Sequence, residues 1–256
     1  MIKHFLLFSI SIILGISNLF SQDIKFSVPD KIKGKTVFTE VLGKHKGYYF
    51  VVRYDKKANQ NFLFEKYNVD LRVVRNHEFN IESGTNVEDI QLMNGQIFFF
   101  YSEYSRQDKL HKLYCDVYDE TFNQVDKENL IATTSVSPTN SNTFKIAYDK
   151  IYHQLLVLYA EDIVKNKIKF IILELDEMLN NIHRVQTILN YEREFSIDKI
   201  KLFNHKFTAL IRSKSTSILK GNKELIDFFY YDLANDIRRI RQLDFDSGKF
   251  ENVIYR

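Results

Sequence analysis

One cysteine, two prolines and no tryptophan occur in 256 residues, and each scarcity removes a class of structure or partner. Cys115 has no second thiol to pair with, so no intramolecular disulfide can form and stability has to come from burial. Pro29 and Pro138 stand far apart and mark no linker. Neither sign of charge dominates, because 36 lysines and arginines face 33 aspartates and glutamates. That balance lacks the concentrated basic surface on which nucleic-acid binding depends, so no nucleic-acid partner is expected. HExxH, GxSxG, P-loop and GxGxxG arrangements are also missing, and the seven histidines are scattered. No metal site, no cofactor and no catalytic residue is assigned on this basis, and an enzyme is the less expected class.

What is present begins at the N-terminus. Lys3 and His4 precede an uncharged run of 16 residues, Phe5 to Phe20, followed by the small Ser21 and then Gln22-Asp23. This is the order of a secretory signal peptide and its cleavage site. A membrane-crossing helix needs roughly 20 apolar residues, more than this run supplies. The expectation is a signal peptide over residues 1–21, no transmembrane span after its removal, and a single all-β domain over residues 22–256, exported to a periplasmic or extracellular location. No cysteine lies near the site to carry a lipid. Cleavage removes Lys3 and no acid, so the net charge falls from +3 to +2.

The whole chain has 22 Phe and 15 Tyr and little alanine, a composition that favours strands and supplies bulky surface for a core. It is also repetitive. Four segments, approximately 34–81, 86–131, 143–190 and 195–245, share one order: a first strand, a polar turn, a very apolar second strand, a charged loop, an amphipathic third strand, an acidic turn and a polar fourth strand. The second strands are Tyr48 to Tyr54, Ile97 to Tyr101, Gln154 to Ala160 and Phe207 to Ile211; the third are Phe62 to Tyr67, Leu113 to Tyr118, Ile168 to Leu175 and Leu225 to Tyr231. Each third strand ends on Asn68, Asp119, Asp176 or Asp232, at spacings of 51, 57 and 56. Asn and Asp suit such a position because their side chains bond the backbone of a tight turn.

The second strands are almost continuously apolar, whereas the fourth, as in Ile237-Arg238-Arg239-Ile240-Arg241, carry charge. A four-stranded blade has this profile when neighbouring blades cover its inner strands and its last strand meets solvent. In this pattern, and in the Phe-Ser-Gln end of its leader, the chain resembles the exported β-propeller-like repeat proteins of the Bacteroidetes type, over about residues 34–245. It has neither the WD dipeptide nor the kelch double glycine, so the resemblance implies a fold and transfers no functional residue. The expected class is all-β, antiparallel four-stranded repeats, propeller-like; a large β-sandwich or meander is the alternative. Four blades either close into a small ring, with Phe250 to Tyr255 pairing against an early strand, or remain open and are completed by another chain. Residues 132–143 read as the connection between the second and third repeats.

Individual residues suggest little chemistry. His111 and Cys115 share one face of a strand but lie roughly 13 Å apart along it, too far for a nucleophile and its base. His153 and His183 read as structural residues. Asn68, Asp119, Asp176 and Asp232 read as turn residues, being in separate blades and unable to converge on calcium. Val87-Glu88-Asp89 and Tyr191-Glu192-Arg193-Glu194 place carboxylates in expected loops. The loops after the second strands are basic, with Lys56, Lys57, Arg106, Lys109, Lys165, Lys167, Arg212, Lys214, Lys220 and Lys223, and form the candidate binding residues. The turns after the third strands are acidic. The two sets fall on opposite ends of a propeller, so the basic end is a candidate for an anionic glycan or an envelope protein. The functional expectation is a non-catalytic binding or scaffold protein of the cell envelope. The alternatives are an exported propeller-type hydrolase or lyase, and a structural subunit that self-associates through an open sheet edge.

Overall fold

The computed structural model describes residues 37–55, 61–135, 143–164, 167–190, 195–214 and 224–243, and every regular element among them is a β-strand. The first sheet is β1 (Val37–His45), β2 (Tyr48–Asp55), β3 (Asn61–Tyr67) and β4 (Val73–Asn80). The second is β5 (Asn86–Met93), β6 (Gln96–Ser105), β7 (Leu110–Tyr118) and β8 (Gln124–Thr134). The third is β9 (Phe144–Asp149), β10 (Gln154–Val164), β11 (Lys167–Leu175) and β12 (Asn181–Asn190). The fourth is β13 (Phe195–Phe203), β14 (Lys206–Lys214), β15 (Glu224–Asp232) and β16 (Ile237–Leu243). Each is an antiparallel meander whose strands pair in chain order. Four separate sheets replace the two facing sheets of the sandwich alternative.

Side-chain alternation explains how the sheets stack. In β6, Ile97 and Phe99 point toward β2 and β3 and join Phe50, Val52, Phe62 and Phe64 in one core. Phe98 and Phe100 point the other way and join Leu155, Val157, Ile171 and Leu173. In β10, Leu156 and Leu158 repeat the device against Phe207, Ala209 and Ile211. The second strands therefore need apolar residues at every position; Leu155, Leu156 and Val157 are fully buried. The first strands are neighbours, β1 beside β5, β5 beside β9 and β9 beside β13. The sheets are propeller-like blades about an axis lined by first strands, with the exposed fourth strands outside. Among the described residues, the apolar cores join successive blades and none joins the fourth to the first. The signal peptide and the ring-closing strand expected at Phe250 to Tyr255 lie outside the described residues.

The periodic Asn and Asp residues are the turns. The Asn68 Oδ1 atom accepts the amides of Asp70 and Arg72, both at 3.0 Å. The Asp119 Oδ1 atom accepts those of Thr121 and Asn123 at 2.8 and 2.9 Å. The Asp176 Oδ1 atom accepts those of Met178 and Asn180 at 2.9 and 2.8 Å, and Asp232 that of Asn235 at 3.2 Å. Three residues on, Leu71, Phe122 and Leu179 adopt φ of 57°, 64° and 63°. Bulky residues seldom occupy this left-handed region. Burial offsets the strain where the side chain turns inward: Phe122 is 2% exposed within the first core.

Candidate functional site

Where β4 passes the face of the second blade, the sheets separate into a cleft of about 720 Å³. This lies in the range of roughly 300–1,000 Å³ that small-ligand sites occupy. Period-two alternation supplies its walls: His77 and Phe79 from β4, Phe99, Tyr101 and Glu103 from β6, and Tyr114, Asp116 and Tyr118 from β7. The β4–β5 connection adds Ile81, Glu82 and Thr85, and the turn into β8 adds Phe122 and Gln124. The rings are locked by one another. Phe79 meets the edge of Phe99 at 5.1 Å and lies 5.7 Å from Tyr118. Tyr101 stacks on Tyr114 at 5.7 Å with planes 26° apart, both half-buried.

Asp116 anchors the polar side. It is buried and accepts hydrogen bonds from the Glu128 amide at 2.7 Å, the Gln124 side-chain amide at 2.9 Å and the Tyr101 hydroxyl at 3.3 Å. Burial raises its pKa, and the Glu128 amide and the Tyr101 hydroxyl pull it back. Burial and then the Asp116 charge push the Tyr118 hydroxyl up to about 12 and the Tyr101 hydroxyl higher still. Glu82, Glu103 and Glu128 are exposed around the opening, where the lysine is Lys127, 2.7 Å from Glu128. Sequence reasoning missed this site, since its walls come from two repeats; the signal was the aromatic–acid alternation in Phe99-x-Tyr101-x-Glu103 and Tyr114-x-Asp116-x-Tyr118.

A second polar group faces the axis. Glu88 and Asp89, expected in a loop, lie within β5 at a bulge between Val87 and Asp89, and that extra residue masks the strand alternation. The Glu88 Oε1 atom accepts from the Ser102 hydroxyl at 2.5 Å, and the Thr143 and Phe144 amides lie beside the carboxyl. Burial pushes the Glu88 carboxyl up to about 7, against the pull of Ser102, nearby amides and Lys145. Burial likewise pushes Asp89 up to about 6. Lys145 on β9 is lowered by burial, with Glu88, Asp198 and Asp89 opposing. Asp198 on β13 receives Arg212 through two nitrogens at 3.1 and 2.8 Å.

The acidic turns connect blades. Glu120 faces Lys46 and Lys66 of the first blade at 3.7 and 3.8 Å. Glu177 accepts from Tyr148 at 2.8 Å, contacts His153 at 2.6 Å and reaches Asn94 of the second blade. Buried Glu174 meets His205 of the fourth blade at 2.7 Å, and His183 stands 4.0 Å from it. Gly95 is required where His45 of the first blade crosses it, because a Cβ there would come within 2.5 Å of the ring. Of the candidate basic residues, Arg106 and Lys109 share the exposed β6–β7 turn, Lys167 is exposed at the start of β11, and Arg212 is held by Asp198. Lys214 ends β14; Lys56, Lys57, Lys165, Lys220 and Lys223 lie outside the described residues, as does the Tyr191-Glu192-Arg193-Glu194 segment. Cys115 is fully buried, its thiol pushed up by burial, and His111 packs on Tyr104 at 4.9 Å.

No protein-family model and no curated protein matches the chain. Among solved structures it is similar to the β-propeller domain of the Trilobed protease from Pyrococcus furiosus, with 13% identity over 80% of this chain and 54% of that one and a TM-score of 0.38. It is also similar to the GH43 endo-arabinanase from Bacillus licheniformis, with 12% identity over 80% of this chain and 92% of that one and a TM-score of 0.36. A third similarity is to the WD40 domain of SCAP from fission yeast, with 9% identity over 83% of this chain and 67% of that one and a TM-score of 0.32. The chain spans about half the length of the Pyrococcus domain.

Proposed function

We propose that the chain is an exported, non-catalytic binding protein of the cell envelope whose recognition site is the cleft between the first two blades. The observation that carries this reading is the cleft itself: about 720 Å³, walled by interlocked aromatic rings and edged with carboxylates. Rings fixed by their neighbours lose little freedom when a ligand stacks on them, which favours binding. The leader-like N-terminus supports export, and the exposed Arg106, Lys109 and Lys167 offer a separate contact for an anionic glycan or an acidic envelope protein. The test is capture from solubilised envelope by tagged chain lacking residues 1–21, beside a Tyr114→Ala variant, at low and high salt. A partner retained by the parent and lost by the variant is the expected result. Identical captured material from both, or none from either, would overturn the reading. Loss at high salt alone would assign the contact to the basic loops.

One observation favours a second reading, an exported hydrolase or lyase. Glu88 stands near pH 7 beside the axis, and a carboxyl with that pKa is suited to general acid catalysis. A hydrolase screen of parent and Glu88→Gln chains decides it: turnover by the parent that the variant lacks would displace the binding reading.

A further inference from the structure

We infer that the ligand of the cleft is an organic cation, an ammonium or guanidinium group on an apolar stem, seated on the Tyr101–Tyr114 stack with Glu103 and Glu82 as its counter-charges. This rests on the cleft being the binding site. Four carboxylates line the cleft, Glu82, Glu103, Asp116 and Glu128, against one lining ammonium, that of Lys127, which pairs with Glu128 and whose charge also reaches Glu82 and Asp116; Lys112, across the strand pair from Glu103, lies outside the lining. Asp116 has three donors of its own and serves to orient Tyr101. The exposed glutamates therefore set the charge that an incoming molecule meets. An anion is repelled by that edge, and a neutral molecule gains hydrogen bonds from it but no charge attraction. A cation gains twice, from the carboxylates and from the negative faces of tyrosine rings, an attraction that works within about 6 Å of a ring centre. The ring stack is half-buried and opens to the cleft, so an apolar stem has a surface to cover.

The experiment is calorimetric titration of the purified chain with choline and with 3,3-dimethylbutan-1-ol, which has the same shape without the charge. A disaccharide and a tri-arginine peptide form further arms. Choline is expected to bind at least tenfold more tightly than the neutral alcohol, to weaken in 0.5 M salt, and to lose at least tenfold in a Glu82→Gln, Glu103→Gln double variant that melts at the parent temperature. Binding of tri-arginine with the same dependence on the double variant supports the same chemistry, with a basic side chain as its source. Equal affinity for choline and the alcohol overturns the inference. So does disaccharide binding that Tyr114→Ala abolishes while choline is ignored, an outcome that leaves the cleft as the binding site. No probe bound, together with capture that Tyr114→Ala does not change, removes both readings.

Discussion

Among the described residues the seam between the third and fourth blades is packed out to its outer edge, whereas the seam between the first and second opens into a cleft, although both are built from the same repeat. The third–fourth seam also has rings, Phe170, Phe195, Phe207, Phe229 and Tyr231, but sets Ala147, Ala160 and Ala209 among them and its Leu and Ile side chains, and these small residues leave room for the sheets to approach. At its outer edge Thr187 of β12 is buried and accepts a hydrogen bond from Arg238 of β16 at 2.8 Å. The open seam has no alanine in its core and is filled instead by Phe50, Phe62, Phe64, Phe99, Tyr118 and Phe122. With no alanine beside them, rings of fixed plane keep the two sheets apart; Phe62 and Phe99 meet edge to face at 5.3 Å and 79°. At the corresponding outer edge His77 and Phe79 reach the second blade only through rings, Phe79 against Phe99 at 5.1 Å and His77 against Tyr118 at 6.5 Å, and the cleft opens beside them. Side-chain shape, with the backbone plan unchanged, makes one seam structural and the other a site.

The comparison breaks most severely at the rings. Phe64→Ala and Phe99→Ala should each cost about 3–5 kcal/mol, because neither fully buried ring can be replaced by collapse of its rigid neighbours. Ile172→Val in the closed seam should cost about 0.5–1.5 kcal/mol. Denaturant midpoints at constant slope measure both; equal losses would remove the distinction between the seams.

The axial carboxylates provide the next largest effect. Glu88 is raised from its ordinary 4.5 to about 7, so the folded chain holds this proton more tightly than the unfolded chain. Its contribution to stability is complete below pH 4.5, declines as pH rises toward 7, and is a full penalty above that. Glu88→Gln removes the titration. Relative to the parent, the variant should gain on the order of 3 kcal/mol between pH 4.5 and pH 8. Asp89, raised to about 6, remains in both chains and cancels in the difference. A stability difference that does not change with pH would show that Glu88 is not buried as described.

What the sequence made legible follows the same division. Strands covered on both faces announced themselves: the starts of β2 and β10, at Tyr48 and Gln154, were readable because an apolar run begins there after a polar turn. The Asn and Asp series marked the ends of the third strands, since one side chain satisfies the same turn three times and a variant of it at Asp232. First strands were harder, because bulges at Val41/Gly43, Val87/Asp89 and Ile197/Lys199 break the alternation. That is how Glu88 and Asp89 came to be read as loop residues. The opening of 132–143 was misread for a related reason: β8 continues to Thr134 through a register shift between Leu113 and Tyr114 on its partner, while 136–142 lie outside the described residues. The cleft was illegible as a unit, because His77 and Phe79 share its lining with Tyr101 and Asp116 only after one blade has packed on the next.

The turns test whether the seams share their ends even though they differ in their middles. Burial raises the Asp119 pKa, but hydrogen bonds from Thr121 and Asn123 outweigh it and hold the carboxyl below its ordinary value. Asp119→Ala should therefore cost about 1–2 kcal/mol at neutral pH, and the difference from the parent should shrink on acidification below pH 4, where the carboxylate is lost. Asp176→Ala should behave alike, its carboxyl being held down in the same way by Asn180 and Met178 despite partial burial. Thermal unfolding at pH 7 and pH 3 checks both, and a loss at one turn alone would mean that the repeat of the turn is not a repeat of its energetics.

The smallest effect is expected where the open seam is tied at its turn end. Glu120 faces Lys46 and Lys66 at 3.7 and 3.8 Å, with Lys46 largely in solvent, and exposed pairs of this kind contribute about 0–1 kcal/mol. Lys66 has other partners: its ammonium donates to the Glu120 carbonyl at 3.1 Å and lies 4.5 Å above the Tyr48 ring and 5.3 Å from Phe50. Removing only the carboxylate, in Glu120→Gln, leaves those contacts in place and should change stability by less than about 0.5 kcal/mol, with no response to 0.5 M salt. Lys66→Met keeps most of the apolar stem but removes the hydrogen bond and the contact with the rings, and it should cost more than Glu120→Gln. If the order is reversed, the two blades are joined at this end by charge, and the aromatic surface that carries the cleft is not what holds them.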